Sequence, residues 1–321
     1  MDRILDRWAF MLLDSDPNRS NELFRFLIKE RPASPLVPNA RLVLAESDML
    51  EGRFEDATKV YTDLINTPGA PEPVRQSAMY NMVTVSDRNE VDADVQKYAD
   101  KYLAEFPQGA FADHVRLFQA ETLVRQAKLN EAQEILVAIR DNIVEPNAEP
   151  EKWYGRTWVV LAETYLQHKQ YDKARDTAAE MLGRADTSNY YYQMYDVMGR
   201  TYMKQAKFDE ARDAFRKVIT DKNGRRTPTA GKCQLLIGDT WVNQQNYAKA
   251  LPEYQKAYFN YVGLPDVQAP GLFQAAGCEL KLLQNKNALK SYKDLVTEFP
   301  TSSYAKEAQT KIDQLKTASG L

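Results

Sequence analysis

Between Arg156 and Leu182 the chain carries two apolar stripes separated by a polar hinge. Trp158, Leu161, Ala162 and Tyr165 recur at three- and four-residue spacing, the period of one helical face. His168, Lys169 and Gln170 follow, and then Tyr171, Ala174, Ala178, Met181 and Leu182 form a second stripe. Two amphipathic helices joined by so short a connection pack antiparallel. Small Ala162 and Ala174 let the two backbones approach, and the larger side chains fill the space toward the next pair.

The scheme recurs in phase. Tyr195, Met198, Gly199 and Tyr202 precede Phe208, Ala211, Phe215 and Val218. Ile237, Gly238 and Trp241 precede Tyr247, Ala250 and Tyr254; Leu272, Ala275 and Ala276 precede Ala288, Tyr292, Leu295 and Pro300. Earlier in the chain, Leu44, Ala45, Phe54, Ala57 and Tyr61 keep the pattern, and Leu117, Ala120, Leu129, Ala132 and Leu136 keep it with aliphatic side chains. The stretch through Met79, Val83, Val95 and Tyr102 is degenerate and is placed by the following Pro107. Phe24, Leu27 and Pro32 mark the second helix of the first pair, with Trp8 where a small residue is usual. The small slots of the second helices, at 20, 57, 95, 132, 174, 211, 250 and 288, are separated by 37, 38, 37, 42, 37, 39 and 38 residues. A period of this size marks a stacked array in which each unit buries its apolar faces on its neighbours. The pattern predicts an all-α solenoid of about eight helical hairpins in a single array over 1–321. Its repeats are weaker over 1–150 and clear over 151–300. A capping helix over 303–316 and a frayed tail over 317–321 complete it.

Proline punctuates the array. Asp16-Pro17 reads as a helix cap followed by proline in the first turn. Pro32, Pro107 and Pro300 stop second helices, because proline cannot continue the hydrogen-bond ladder. Pro73, Pro150 and Pro270 precede or open first helices. The spacing of 42 is explained by a loop from Val144 to Glu151; Asp221 to Ala230 and Val262 to Gly271 read as the other long connections.

These features resemble the tetratricopeptide repeat (TPR) family along nearly the whole chain, most specifically in the four consecutive units from Trp158 to Pro300. The resemblance implies a right-handed superhelix whose first helices line a concave groove. Three junctions between repeats, RPASPLVPNA at 31–40, FPQGAFADHV at 106–115 and FPTSSYAKEA at 299–308, share a form that is similar to TPR proteins of the bacterial cell envelope. Those include the periplasmic partner of the Tol system and the lipoprotein of the barrel-assembly machinery. The chain departs from them in lacking a signal peptide, a lipidated N-terminal cysteine and an N-terminal coiled coil. The resemblance implies a bacterial scaffold or adaptor, with periplasm or envelope favoured and the cytoplasm left open.

Composition narrows the chemistry. With 44% hydrophobic and 27% charged residues and a net charge of −3, the chain is of folded, soluble type and lacks the excess positive charge that a nucleic-acid partner needs. No run approaches the ~20 apolar residues of a membrane span, so no direct insertion is expected. Trp8 to Leu13 is too short and too flanked by charge for a signal peptide. Cys233 and Cys278 sit in adjacent repeats at registers seven residues apart, about 10 Å along a helix axis, which predicts two free, mostly buried thiols. His114 and His168 are the only histidines and have no ligand grouping around them, so no metal or cofactor is expected. No phosphate loop or nucleophile elbow is present, and Glu121 and Glu131 read as solvated helix faces. The expectation is a protein that is not an enzyme.

Two surface features remain. Tyr190, Tyr191, Tyr192 and Tyr195 open a first helix and read either as packing against the preceding repeat or as exposed anchors. The second is a stripe on the first helices. Glu46, Thr84, Glu121, Glu163, Arg200, Asp239 and Gly277 follow the small slot; four residues on come Leu50, Arg88, Arg125, Gln167, Lys204, Asn243 and Lys281. From it Glu121, Arg125, Glu163, Gln167, Arg200, Lys204, Asp239 and Asn243 are the candidate groove residues for a protein or peptide partner. Their mixed charge favours an extended polar peptide, unless it is plain i,i+4 pairing such as Glu121 with Arg125. The stripe lacks the repeated Lys and Asn set by which family members clamp a terminal carboxylate. The functional expectation is a binding scaffold, with a structural or oligomerising spacer as the alternative.

Overall fold

A computed structural model describes residues 1–142 and 153–319. The expected loop from Val144 to Glu151 and the last two residues of the tail lie outside the described residues. The chain divides into two compact units, Met1–Ile143 and Val144–Leu321. The first holds four hairpins: α1 (Asp2–Leu12) with α2 (Pro17–Glu30), α3 (Val37–Leu50) with α4 (Phe54–Asn66), α5 (Glu72–Arg88) with α6 (Asp92–Glu105), and α7 (Ala112–Arg125) with α8 (Leu129–Asn142). The second holds α9 (Tyr154–Gln167) with α10 (Tyr171–Leu182), α11 (Tyr191–Lys204) with α12 (Phe208–Thr220), α13 (Pro228–Asn243) with α14 (Tyr247–Asn260), and α15 (Pro265–Lys281) with α16 (Asn285–Glu298). The helix α17 (Ser303–Ser319) follows, and a short 3-10 turn at Ala185–Tyr190 leads into α11. The described residues are thus an all-α, TPR-like solenoid.

The recurrent small slot has a fixed place. Ser20, Ala57, Val95, Ala132, Ala174, Ala211, Ala250 and Ala288 are each the fourth residue of a second helix, and each is fully buried. Four residues on, Phe24, Tyr61, Ala99, Leu136, Ala178, Phe215, Tyr254 and Tyr292 are buried as well. The rings among them need room on the partner helix. At Gly199 that room is the missing Cβ under the Phe215 ring, and at Gly238 an added Cβ would lie 2.5 Å from the Tyr254 ring.

Hairpin turns also repeat. In hairpins two to eight, one residue (Gly52, Glu90, Ala127, Lys169, Ala206, Gln245 or Leu283) adopts the left-handed conformation. Lys169 N–H then donates to Leu166 O at 3.0 Å and Gln170 N–H to Tyr165 O at 2.8 Å. These bonds satisfy carbonyls at the end of the first helix and offset the roughly 1–2 kcal/mol that a left-handed non-glycine residue costs.

Within each unit the first helices lie on the inner side. α3 touches α5 and α5 touches α7; α9 touches α11, α11 touches α13, α13 touches α15, and α15 touches α17. The second helices make no comparable contact with one another among the described residues. Each stack therefore curves toward its first helices, and their outward-facing residues line its concave side.

Two register-equivalent clasps bind neighbouring repeats in the second unit. Arg175 donates to Gln205 Oε1 at 2.6 Å, pairs with Asp172 and lies over the Tyr202 ring. The buried Arg212 donates to Thr240 Oγ1 at 2.9 Å and Gln244 Oε1 at 3.0 Å and pairs with Asp209. Its guanidinium carbon sits 3.5 Å from the centre of the Trp241 ring. A cation held against an indole out of water contributes on the order of 2 kcal/mol.

Several sequence expectations shift. Ala9, not Trp8, is the buried small residue of α1, and Ser20 Oγ donates to its carbonyl at 2.8 Å; Trp8 is half exposed. The segment from Val262 to Gly271 is not a long connection, because α15 starts at Pro265 and carries Pro270 inside it. Burial of Val267 and Ala269, with Gln268 Nε2 donating to Tyr258 O at 3.1 Å, outweighs the hydrogen bond lost at that proline. α17 buries Ala305, Ala308 and Ile312 against Leu272, Ala276, Tyr292 and Leu295 as a capping helix should, and it continues to Ser319, since the first helix breaker is Gly320.

Two glycine substitutions should move stability in opposite directions. Gly238→Ala is expected to lower the unfolding free energy by about 1–3 kcal/mol through overpacking on Tyr254. Gly277→Ala, where nothing lies within 4 Å of the added Cβ, should raise it by about 0.5–1 kcal/mol. Urea melts of both variants check this; equal effects would contradict the seam geometry.

Candidate protein-binding groove

On the inner face of the second unit, α9, α11 and α13 with the starts of α10 and α12 enclose an open groove of about 700 Å³. Leu166, Met203, Leu236, Tyr171 and Phe208 supply its apolar surface. Four of the eight candidate residues, Gln167, Arg200, Lys204 and Asn243, line it together, and Lys169 joins them from the turn between α9 and α10. Gln167, Lys169, Lys204 and Asn243 are exposed, and their side chains make no hydrogen bond or ion pair among the described residues.

The other four candidates stand elsewhere. Glu163 lies beside the groove and accepts from Arg200 Nη2 at 2.9 Å across the repeat boundary. Arg200 also binds Asp196 at 2.9 Å, and Asp196 in turn accepts from the Cys233 thiol at 3.4 Å. Asp239 is turned toward its own hairpin and accepts from Tyr254 Oη at 2.6 Å. Glu121 and Arg125 belong to the first unit. Glu121 is buried, which corrects its reading as a solvated face: α7 is covered on most sides, with Gln119, Ala120, Glu121 and Thr122 all buried in succession. Arg125 reaches Asp92 at 2.8 Å and Asp87 at 3.2 Å, so its ion pairs run to the neighbouring repeat and not along its own helix.

Burial sets the electrostatics. It holds the Asp239 carboxyl above its ordinary value of 3.8, opposed by the Tyr254 hydrogen bond. In the first unit it also raises Glu46, which accepts from Asn81 Nδ2 at 3.0 Å. Burial pushes up the thiol of Cys233, with the Asp196 carboxylate adding to it, and lifts Cys278 to about 11. Both thiols are free and buried. Among the described residues no group of three or more His, Cys, Asp or Glu is placed to hold a metal ion.

The tyrosine run is packed. Tyr190 covers Gly155, Tyr191 Oη donates to Arg184 O at 2.8 Å, Tyr192 lies on Gly224, and Tyr195 sits under Lys217 Nζ at 4.8 Å. A different aromatic group escaped the sequence reading. Tyr80 stacks on Phe111 at 4.5 Å between centroids, its hydroxyl lies 2.9 Å from His114 Nδ1, and His114 stacks on Phe118 at 4.9 Å. Lys169 was missed because it lies in a turn, and the Arg200 partner Asp196 was visible only as an i−4 acid.

The geometry defines a class: a solenoid of helical hairpins with an open, partly apolar groove on its inner face. The family model for the tetratricopeptide repeat-like domain matches residues 69–235, more than half of the chain, and the chain belongs to that family. A tetratricopeptide repeat model also matches residues 271–302. Repeat proteins of this family are in general non-catalytic protein-interaction folds. Among solved structures the chain is similar to the apo form of RapI, with a TM-score of 0.65, 13% identity, and coverage of 88% of this chain and 81% of that one. It is also similar to a tetratricopeptide repeat protein from Parabacteroides merdae, with a TM-score of 0.56, 16% identity, and coverage of 84% and 96%. The apo form of the quorum sensor NprR from B. thuringiensis gives a TM-score of 0.59 at 14% identity, covering 97% and 96%. At such identities the likeness is one of fold. No curated protein matches the chain.

The raised Asp239 carboxyl has a pH consequence. A carboxyl whose folded pKa lies above its unfolded one stabilises fully below the unfolded value and loses that contribution as pH rises through the folded value. Asp239→Asn keeps the acceptor for Tyr254 and removes the charge. Its stability advantage over the parent chain is expected to grow from about pH 4 upward toward neutrality, as read from chemical denaturation at a series of pH values. A difference that stays flat with pH would refute the assignment.

Proposed function

We propose that the chain is a non-enzymatic interaction scaffold that grips an extended segment of a partner protein in the inner groove of its second unit. One observation carries this reading: Gln167, Lys204 and Asn243, at the same register of three successive first helices, point unpaired into one open groove with an apolar floor. Hydrophobic anchoring with a few polar contacts is how such grooves hold peptides. The likeness to a protein described as a quorum sensor agrees with ligand binding on this architecture. The net charge of −3 argues for a protein partner over nucleic acid. No helix among the described residues is long and apolar enough to cross a membrane. The three shared junctions support a place in a bacterial envelope-associated assembly, with no cofactor involved.

The test uses exposed residues. A tagged chain and its Gln167→Ala, Lys204→Ala, Asn243→Ala triple variant are used to capture partners from fractionated cells of the source organism. The parent chain is expected to retain a partner from the envelope fraction that the equally folded triple variant loses. Equal capture by both overturns the groove, and a partner found only in the cytosolic fraction overturns the envelope assignment.

A second reading, the oligomerising spacer, is favoured by the exposed Ile4, Trp8 and Met11 on α1 and Met1 before it. On this reading the pure chain self-associates in light scattering and Trp8→Glu restores the monomer; a monomeric parent chain rules it out.

A further inference from the structure

The groove is electrostatically one-sided. Four carboxylates on the helices around it have a partner within the chain. Glu163 accepts from Arg200 at 2.9 Å, Asp172 pairs with Arg175, Asp209 pairs with Arg212, and Asp239 accepts from Tyr254 at 2.6 Å. None of these four lines the groove. Of the three cations that do, Arg200 is held between Glu163 and Asp196, whereas Lys169 and Lys204 have no ion pair among the described residues. The residue pattern along the stripe suggested mixed charge, yet the side-chain pairing takes up Glu163, Asp239 and Arg200 and leaves Lys204 open, with Lys169 beside it from the turn.

We infer that the occupant of the groove is an acidic, apolar segment: a large apolar side chain seated on Leu166, Met203 and Leu236, with a neighbouring Asp or Glu meeting Lys169 and Lys204. Gln167 and Asn243 each carry an amide donor and acceptor, the set needed to bond the backbone of an extended chain whatever its sequence. A basic segment finds no carboxylate among the residues that line the groove and brings its charge against two lysines. The selectivity therefore comes from repulsion as much as from attraction. This inference rests on the groove reading above and adds the chemistry of the occupant.

The experiment is a selection of short random peptides displayed on phage against the full chain, followed by anisotropy titrations of the selected peptides. Two variants at exposed positions accompany the parent chain: Lys169→Glu with Lys204→Glu, which reverses the free charge, and Asn243→Trp, which fills the groove. Circular dichroism confirms that both fold. The expected result is enrichment of Asp or Glu beside Leu, Phe, Tyr or Trp. Affinity should fall on the order of tenfold in the charge-reversed chain and weaken with added salt. Peptides lost on Asn243→Trp but rich in Lys or Arg, or indifferent to charge reversal, overturn the inference and leave the groove standing. Peptides that survive both variants, or a selection that enriches nothing, overturn the groove and the inference together.

Discussion

The structure depends on one close approach, repeated eight times: the fourth residue of each second helix buried against the first helix of its own hairpin. Where that residue is small, two backbones come near enough for the side chain one turn later to cross into the partner helix. Phe215 over Gly199 and Tyr254 over Gly238 show the limiting case, in which the partner gives up even its Cβ. The buried ring is a large apolar area removed from water, and fully burying one such side chain contributes about 1.5–3 kcal/mol. No single hairpin has enough of these to stand alone, so stability accumulates by stacking.

Stacking then decides where binding can occur. First helices touch first helices, so they form the inner side of each stack, and one residue register on them is repeated along a continuous surface. In the second unit the Arg175 and Arg212 clasps hold α10 to α11 and α12 to α13 through cation, ring and amide contacts. That fixes the spacing of the three first helices whose residues line the groove. The same geometry separates two kinds of polar residue. Those next to the small slot, Glu163, Arg200 and Asp239, lie deep enough to be paired within the chain. Those one turn further on, Gln167, Lys204 and Asn243, reach solvent and stay open.

Much of this was legible from residue order. Helix periodicity, the spacing of small residues and the prolines placed the hairpins, since each depends on local backbone chemistry and on a repeat that needs no distant information. Pro270 marks the limit of that logic. A proline at the sixth position of α15 is a helix breaker by local rules, and only the burial of Val267 and Ala269 shows why the helix runs through it. Trp8 marks another: it holds the slot that the repeat spacing assigns to a small residue, yet the residue buried beside Ser20 is Ala9.

The candidate site was half legible. Its register followed from the helical period, so Gln167, Arg200, Lys204 and Asn243 could be assigned to one face without coordinates, and the class of the fold was determined by sequence alone. Its charge was not. Whether a carboxylate faces a ligand or a neighbour is settled by partners 15 to 37 residues away, as with Asp239 and Tyr254 or Glu163 and Arg200. Lys169 entered the groove only because the turn that carries it folds back beside α11. Local periodicity determines which face a residue occupies, while packing between repeats decides which polar groups on that face are still unpaired.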